Sequence, residues 1–136
     1  MRYVFKNGFR AEIDFENKRI SGVYHGGENL ICGNVPFFSV KMRKKDGSRR
    51  IISAFECEYL GENGNRHVYE NADFTVKVRV IPSESGLKWR ITVDNRTDEL
   101  LEWVELASLG VCEKLSEEEG GKGAILFPYN EGCLVT

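Results

Sequence analysis

Two glutamates on an apolar segment are the first residues whose spacing could support chemistry. Glu102 and Glu105 interrupt the sequence LLEWVEL at residues 100–106. A carboxylate among buried neighbours has a raised pKa, which suits general acid–base catalysis. Residues three apart on a strand project to opposite faces, so these two carboxylates are predicted not to act together. We expect each to pair with a lysine or arginine of an adjacent strand instead.

The histidines and cysteines predict no further catalytic or metal site. His25 and His67 each sit next to a turn, far apart in the sequence, and are interpreted as surface histidines. The four cysteines include no CxxC pair and no nearby histidine, so no metal and no cofactor are expected. We expect free, partly buried thiols, none of them catalytic. They are Cys32, Cys57, Cys112 and Cys133.

Aromatic side chains at strand ends are the remaining candidates for a binding site. Tyr24 stands beside His25 and the Gly26-Gly27 corner, and Tyr129 stands beside Asn130. Aromatic rings pack against apolar patches while a polar group fixes orientation, as carbohydrate binding requires. The carbohydrate-binding candidates are therefore Tyr24, His25, Tyr129 and Asn130.

Composition and charge limit the classes of protein. The 136 residues are enough for one domain with a core. A formal net charge of −2 argues against a nucleic-acid partner. The basic run at residues 41–50 straddles Asp46-Gly47, which favours a solvated hairpin tip, with an anionic-ligand patch as the alternative. No apolar run is long enough to span a membrane, and the first residues lack a signal-peptide core, so a cytoplasmic protein is expected.

Apolar residues recur with period two along almost the whole chain, which predicts strands. The strongest hairpin joins residues 37–43 to 49–60 across Asp46-Gly47, and a second joins 73–82 to 87–94. Trp89 alternates with Ile91 and Val93 and is predicted to lie in the core, as is Trp103. Residues 112–123 favour a loop with one helical turn, followed by two short strands.

Some nine strands with polar turns predict an all-β fold, an antiparallel β-sandwich, as a single domain over residues 1–136. Residues 100–109 are apolar on both faces and are expected to run through the middle of a sheet. The sequence still has strand character at its last residues, GCLVT. This pattern predicts the front part of a larger protein rather than a natural final edge strand.

The motifs WRITVDNRTDELLEWVEL and ILFPYNEGCLV, with the opening hairpin FRAEIDFENKRISGVY, resemble one known family. They are similar to the amino-terminal galactose-mutarotase-like β-supersandwich domain that precedes the catalytic barrel of bacterial glycoside hydrolases. Where those domains have VEFP, this chain has VELASLG. No catalytic residue of the family maps onto this sequence.

The resemblance implies a non-catalytic accessory domain of a carbohydrate-active protein. Its implied partner is a catalytic domain of the same or a longer chain. A truncated sandwich would expose sheet edges, so self-association is also expected. An independent carbohydrate-binding module is the alternative. A mutarotase-type enzyme would need a histidine and a glutamate at one sugar, for which the chain offers His67 with Glu102 or Glu105.

Overall fold

A computed structural model describes residues 1–106, 125–127 and 133–135 of the chain. Within these residues there are antiparallel strands and one short 3-10 helix, but no α-helix. The first strands are β1 (Arg2–Val4), β2 (Phe9–Asp14), β3 (Arg19–His25), β4 (Glu28–Asn29), β5 (Phe38–Arg43), β6 (Arg49–Ser53) and β7 (Glu58–Asn63). They are followed by β8 (Arg66–Glu70), β9 (Phe74–Pro82), β10 (Leu87–Asn95), β11 (Leu100–Leu106), β12 (Ile125–Phe127) and β13 (Cys133–Val135).

The strands form three sheets and a separate pair. Sheet I has the order β1-β2-β3-β4, sheet II the order β11-β5-β6, and sheet III the order β10-β9-β8-β7. Strands β12 and β13 pair antiparallel with each other. The predicted all-β, antiparallel, sandwich-like fold is confirmed.

The inner faces of the three sheets share one hydrophobic core, because alternate residues of each strand point inward. A buried hydrogen bond also ties sheet III to the turn after β2, since the Tyr69 hydroxyl donates to the Phe15 carbonyl over 3.0 Å. The fully buried residues of this core include Ile13 from sheet I, Phe38, Val40 and Met42 from sheet II, and Tyr69, Phe74, Val76 and Val78 from sheet III.

Both predicted hairpins are confirmed, and local turn chemistry explains them. Gly47 has φ of 85°, which a glycine adopts without the steric cost of a Cβ, and β5 pairs with β6 across it. Strand β9 pairs with β10 from Leu87 opposite Pro82 to Asn95 opposite Phe74. The prediction that Trp89 packs against the core is also confirmed.

The single strand predicted over residues 49–60 is wrong, because the chain changes sheet within it. Strand β6 belongs to sheet II and β7 to sheet III, with a 3-10 helix at Ala54–Glu56 between them. Glu56 accepts hydrogen bonds from the Ser53 backbone nitrogen at 2.8 Å and from its hydroxyl at 3.2 Å. A serine followed three residues later by glutamate is a helix-start signal that competes with strand propensity.

Strand β11 corrects two further predictions. It is the edge strand of sheet II rather than a central strand, and it pairs only with β5 among the described strands. The register shifts between Leu101 and Trp103, so a bulge lies at Glu102. Leu101 and Val104 pack against the core, whereas Trp103 is 57% exposed and does not lie in the core as predicted.

The two predicted carboxyl-terminal strands are confirmed as β12 and β13. The predicted helical turn at residues 112–123 lies outside the described residues, as do Tyr129 and Asn130. No helix in the described part of the chain is long and apolar enough to cross a membrane.

Candidate functional site

The outer face of sheet II combines exposed apolar groups with an ion cluster. On β5, Lys41 and Arg43 alternate with the buried Val40 and Met42 and therefore point away from the core. Strands β6 and β11 flank β5 and place their own outward residues beside these cations. We define the sheet II face as Lys41, Arg43, Arg49, Ile51, Leu100, Glu102 and Trp103.

Glu102 is the centre of the ion cluster. Its carboxylate lies 3.3 Å from Arg43 Nε, 3.0 Å from Arg49 Nε and 4.0 Å from Lys41 Nζ. Only 17% of the Glu102 side chain is exposed, so the cations replace much of its water. The expected pairing of Glu102 with basic residues is confirmed.

Three large apolar side chains of this face are exposed to solvent. The exposed fractions are 63% for Ile51, 57% for Trp103 and 54% for Leu100. Lys41 lies opposite both Ile51 and Trp103 in the strand register, so the three residues form one row across the sheet. The Lys41 ammonium lies 4.2 Å from the centre of a Trp103 ring, a cation–π contact.

The prediction that Glu102 and Glu105 point to opposite faces is wrong. Glu105 lies opposite Ser39, which alternates with the inward Phe38 and Val40, so Glu105 also belongs to the outward side. The bulge at Glu102 inserts one residue and brings the two carboxylates to the same side of the strand. Glu102 is held in place by basic residues of two neighbouring strands and ties them together.

His67 is buried, which corrects its interpretation as a surface histidine. Its ring stacks on Phe15 with 3.4 Å between centroids, and the Tyr59 hydroxyl lies 2.9 Å from Nδ1. Burial lowers the pKa of His67, so the neutral imidazole is favoured at neutral pH. The tautomer of the neutral imidazole sets which group donates in this hydrogen bond, and burial raises the Tyr59 pKa, so the hydroxyl stays protonated.

The surroundings of His67 separate it from the glutamates of sheet II. It lines a cleft of about 690 Å³ together with Tyr59, Glu12 and Asp14 of other strands. Glu102 instead binds cations on the outward side of sheet II. The pairing that a mutarotase-type enzyme would need is not formed by His67 with Glu102.

The candidates Tyr24 and His25 lie on β3 but do not form one binding surface. As consecutive strand residues they point to opposite faces. The Arg10 guanidinium lies 3.9 Å from the Tyr24 ring centre, and Tyr24 also lies against Gly22. His25 is exposed but stacks on Phe9 at 4.4 Å, so a neighbour covers each ring.

The two cysteines within residues 1–106 differ in burial. Cys57 is buried, and burial raises its pKa to about 11, so it stays a protonated thiol at neutral pH. Cys32 is exposed. Within the described part of the chain no group of three metal-ligating side chains converges.

Trp103 is the functional candidate that sequence reasoning missed. Its apolar neighbours suggested a core residue, but they alternate around a bulge rather than around a regular strand. The signal was present in the sequence as the break in period two at Leu101–Trp103.

Comparisons of the chain with protein-family models, with curated proteins and with solved structures find no match.

Proposed function

We propose that this protein is a non-catalytic accessory domain of a carbohydrate-active, glycoside hydrolase-like protein. In this proposal the sheet II face docks onto a catalytic domain of the same or a longer chain. The row Ile51–Lys41–Trp103 is the observation that carries it. Aromatic side chains with apolar neighbours and a polar surround are typical of the centres of protein interfaces.

Two further features support docking through this face. The Glu102 carboxylate contacts three cations of this face, which lowers but does not remove the cost of covering their charge. Strand β11 is an edge of sheet II in the described residues and offers backbone groups to a partner. The carbohydrate part of the proposal rests on the family resemblance of the sequence motifs.

The test starts from the native reading frame past codon 136. If it encodes a catalytic domain, the two parts are expressed separately and their affinity is measured by calorimetry. We expect Trp103→Ala to weaken binding about 30-fold, because a central aromatic anchor contributes roughly 2 kcal/mol or more. The matched control is Lys44→Gln in the exposed turn between β5 and β6, which should change the affinity less than twofold.

Two outcomes would contradict this proposal. A stop codon at position 137 removes the longer chain on which docking depends. Equal affinities for the wild type and Trp103→Ala would remove the sheet II face from the interface.

Self-association follows from the same exposed groups. We expect copies of the chain to associate at high concentration through β11 or through the sheet II face. Light scattering after size exclusion measures the mass, and Trp103→Lys should shift it towards the monomer. A monomer at all concentrations would contradict this expectation.

The second candidate is an independent carbohydrate-binding module with Trp103 as the sugar platform. An exposed indole beside Lys41, Arg43 and Glu102 offers an apolar ring face next to hydrogen-bonding groups. Titration with neutral oligosaccharides should then quench the Trp103 fluorescence. The partly buried Trp89, tested alone in Trp103→Phe, should give no response.

Tyr24→Ala and His25→Ala separate this site from the one predicted from the sequence. Loss of glycan binding in these variants, with full binding in Trp103→Ala, would favour the β3 site. The reverse result would place the sugar on the sheet II face.

A further inference from the structure

The outward side of sheet III carries a row of arginines from three strands. Arg79 lies directly opposite Arg90 in the pairing of β9 with β10. On the other side of β9, His67 lies opposite Val78, which places the preceding Arg66 next to Arg79. Arg66 and Arg79 line one cleft. Their alternation with the buried Val78 and His67 points them away from the core.

These cations have no carboxylate partner in the part of the chain that the structure describes. Nearby acidic groups are engaged elsewhere, because Asp94 accepts from Lys77 over 2.8 Å and Glu70 accepts from Arg96 over 2.7 Å. Like charges directly opposite each other destabilise a sheet. The row therefore carries positive charge that the described residues do not neutralise.

The cleft beside the row has the size and groups of a ligand site. Its volume is about 370 Å³, and it lies at the two-residue turn between β7 and β8. Besides Arg66, Lys77 and Arg79, the amide side chains of Asn63 and Asn65 line it. Guanidinium groups bind carboxylate or sulfate oxygens through paired hydrogen bonds, and amides can bind hydroxyl groups.

We propose that this cleft and the arginine row bind a short segment of an acidic glycan that carries carboxylate or sulfate groups. Neighbouring strands are about 4.8 Å apart, so the row covers about 10 Å and matches an extended ligand with two or three anionic groups. The choice of a glycan rests on the proposed carbohydrate-related function. The positive row itself rests only on the strand register.

The same face is poorly suited to single-stranded nucleic acid. Such strands bind along aromatic platforms on which bases stack. The described outward residues of β8, β9 and β10 include no aromatic side chain. The next row of the same face is Val68, Lys77 and Thr92. Glu70, Thr75 and Asp94 form the row after it and end the positive region.

The experiment compares four short ligands by calorimetry at low ionic strength. They are a uronic-acid oligosaccharide, a sulfated oligosaccharide, a neutral oligosaccharide and a single-stranded oligonucleotide. We expect one or both acidic glycans to bind, with the first two ligands distinguishing carboxylate from sulfate. Arg79→Gln should weaken binding about tenfold, since charge-assisted hydrogen bonds are the strong ones. Arg79→Gln with Arg90→Gln should abolish it.

The matched control removes the same charge from another basic cluster. Lys44→Gln lies in the exposed turn after β5 and should leave glycan affinity unchanged. No binding of either acidic glycan, or unchanged binding in the double variant, would overturn the proposal. Equal binding of the neutral glycan or of the oligonucleotide would overturn the choice of ligand. Trp103 variants test the proposed function on another sheet, so the two failures can be told apart.

Discussion

The outer faces of sheets II and III present similar cations, which contact a carboxylate on sheet II and lack a described acidic partner on sheet III. On sheet II, Lys41, Arg43 and Arg49 share the carboxylate of Glu102. On sheet III, Arg79 and Arg90 face each other without a described acidic partner. One bulged glutamate makes the difference. On sheet II one carboxylate offsets part of the positive charge and lowers the cost of covering the face, whereas the unpaired face of sheet III gains by taking up an anion.

Removing the shared carboxylate should make sheet II resemble sheet III and gives the largest expected effect. Glu102→Ala leaves three neighbouring cations without a partner, and we expect the free energy of unfolding to fall by about 2 kcal/mol. Urea denaturation measures it. The control is Glu84→Ala, whose exposed pair with Lys6 should contribute less than about 0.5 kcal/mol. Similar losses in both variants would show that the Glu102 cluster contributes no more to stability than an exposed ion pair.

Acid should destabilise the inner face of sheet III through the buried His67. Because the folded pKa is lowered below 6.5, the unfolded state binds a proton more readily. The contribution of His67 to the free energy of unfolding is therefore fully present above about pH 6.5. It should decrease as the pH falls below that value. We expect this loss to be smaller than that of Glu102→Ala. Melting temperatures at pH 7.5 and 5.5 should differ more in the wild type than in His67→Gln.

His25→Gln is the matched control for the acid experiment, because His25 is exposed. This variant should keep the pH dependence of the wild type. If His25→Gln removes the dependence and His67→Gln keeps it, the assignment to the buried imidazole is wrong.

Removing a cation should change the free energy of unfolding in opposite directions on the two faces. This is the smallest expected effect. Arg79→Gln relieves repulsion from Arg90, so the free energy of unfolding should rise by about 0.3 kcal/mol in the absence of ligand. Arg43→Gln removes a partner of Glu102 and should lower it. Denaturation of both variants in one buffer measures the contrast. A loss in Arg79→Gln would mean that the row is internally compensated.

Much of the fold could be predicted because its signals are local. The alternation in residues 73–82 and 87–94 and the Asp46-Gly47 turn specify hairpins through neighbours in the chain. The change of sheet at Ser53 was also detectable, since the serine and Glu56 form a helix-start pair. Strand propensity masked that signal. The sheet II face was missed because Trp103 has apolar neighbours in the sequence but is exposed to solvent in the structure.

The sequence by itself determined the all-β class, the two main hairpins and the inward residues of β9 and β10, because backbone angles and period two are properties of consecutive residues. Only the tertiary structure decided that β11 pairs with β5, that Glu102 is bulged and that Arg66, Arg79 and Arg90 stand in one row. The pairing of β11 with β5 and the bulge depend on register between strands distant along the chain, and the arginine row depends on the combined register of three successive strands. Register is set by packing of the whole core, which no local pattern encodes.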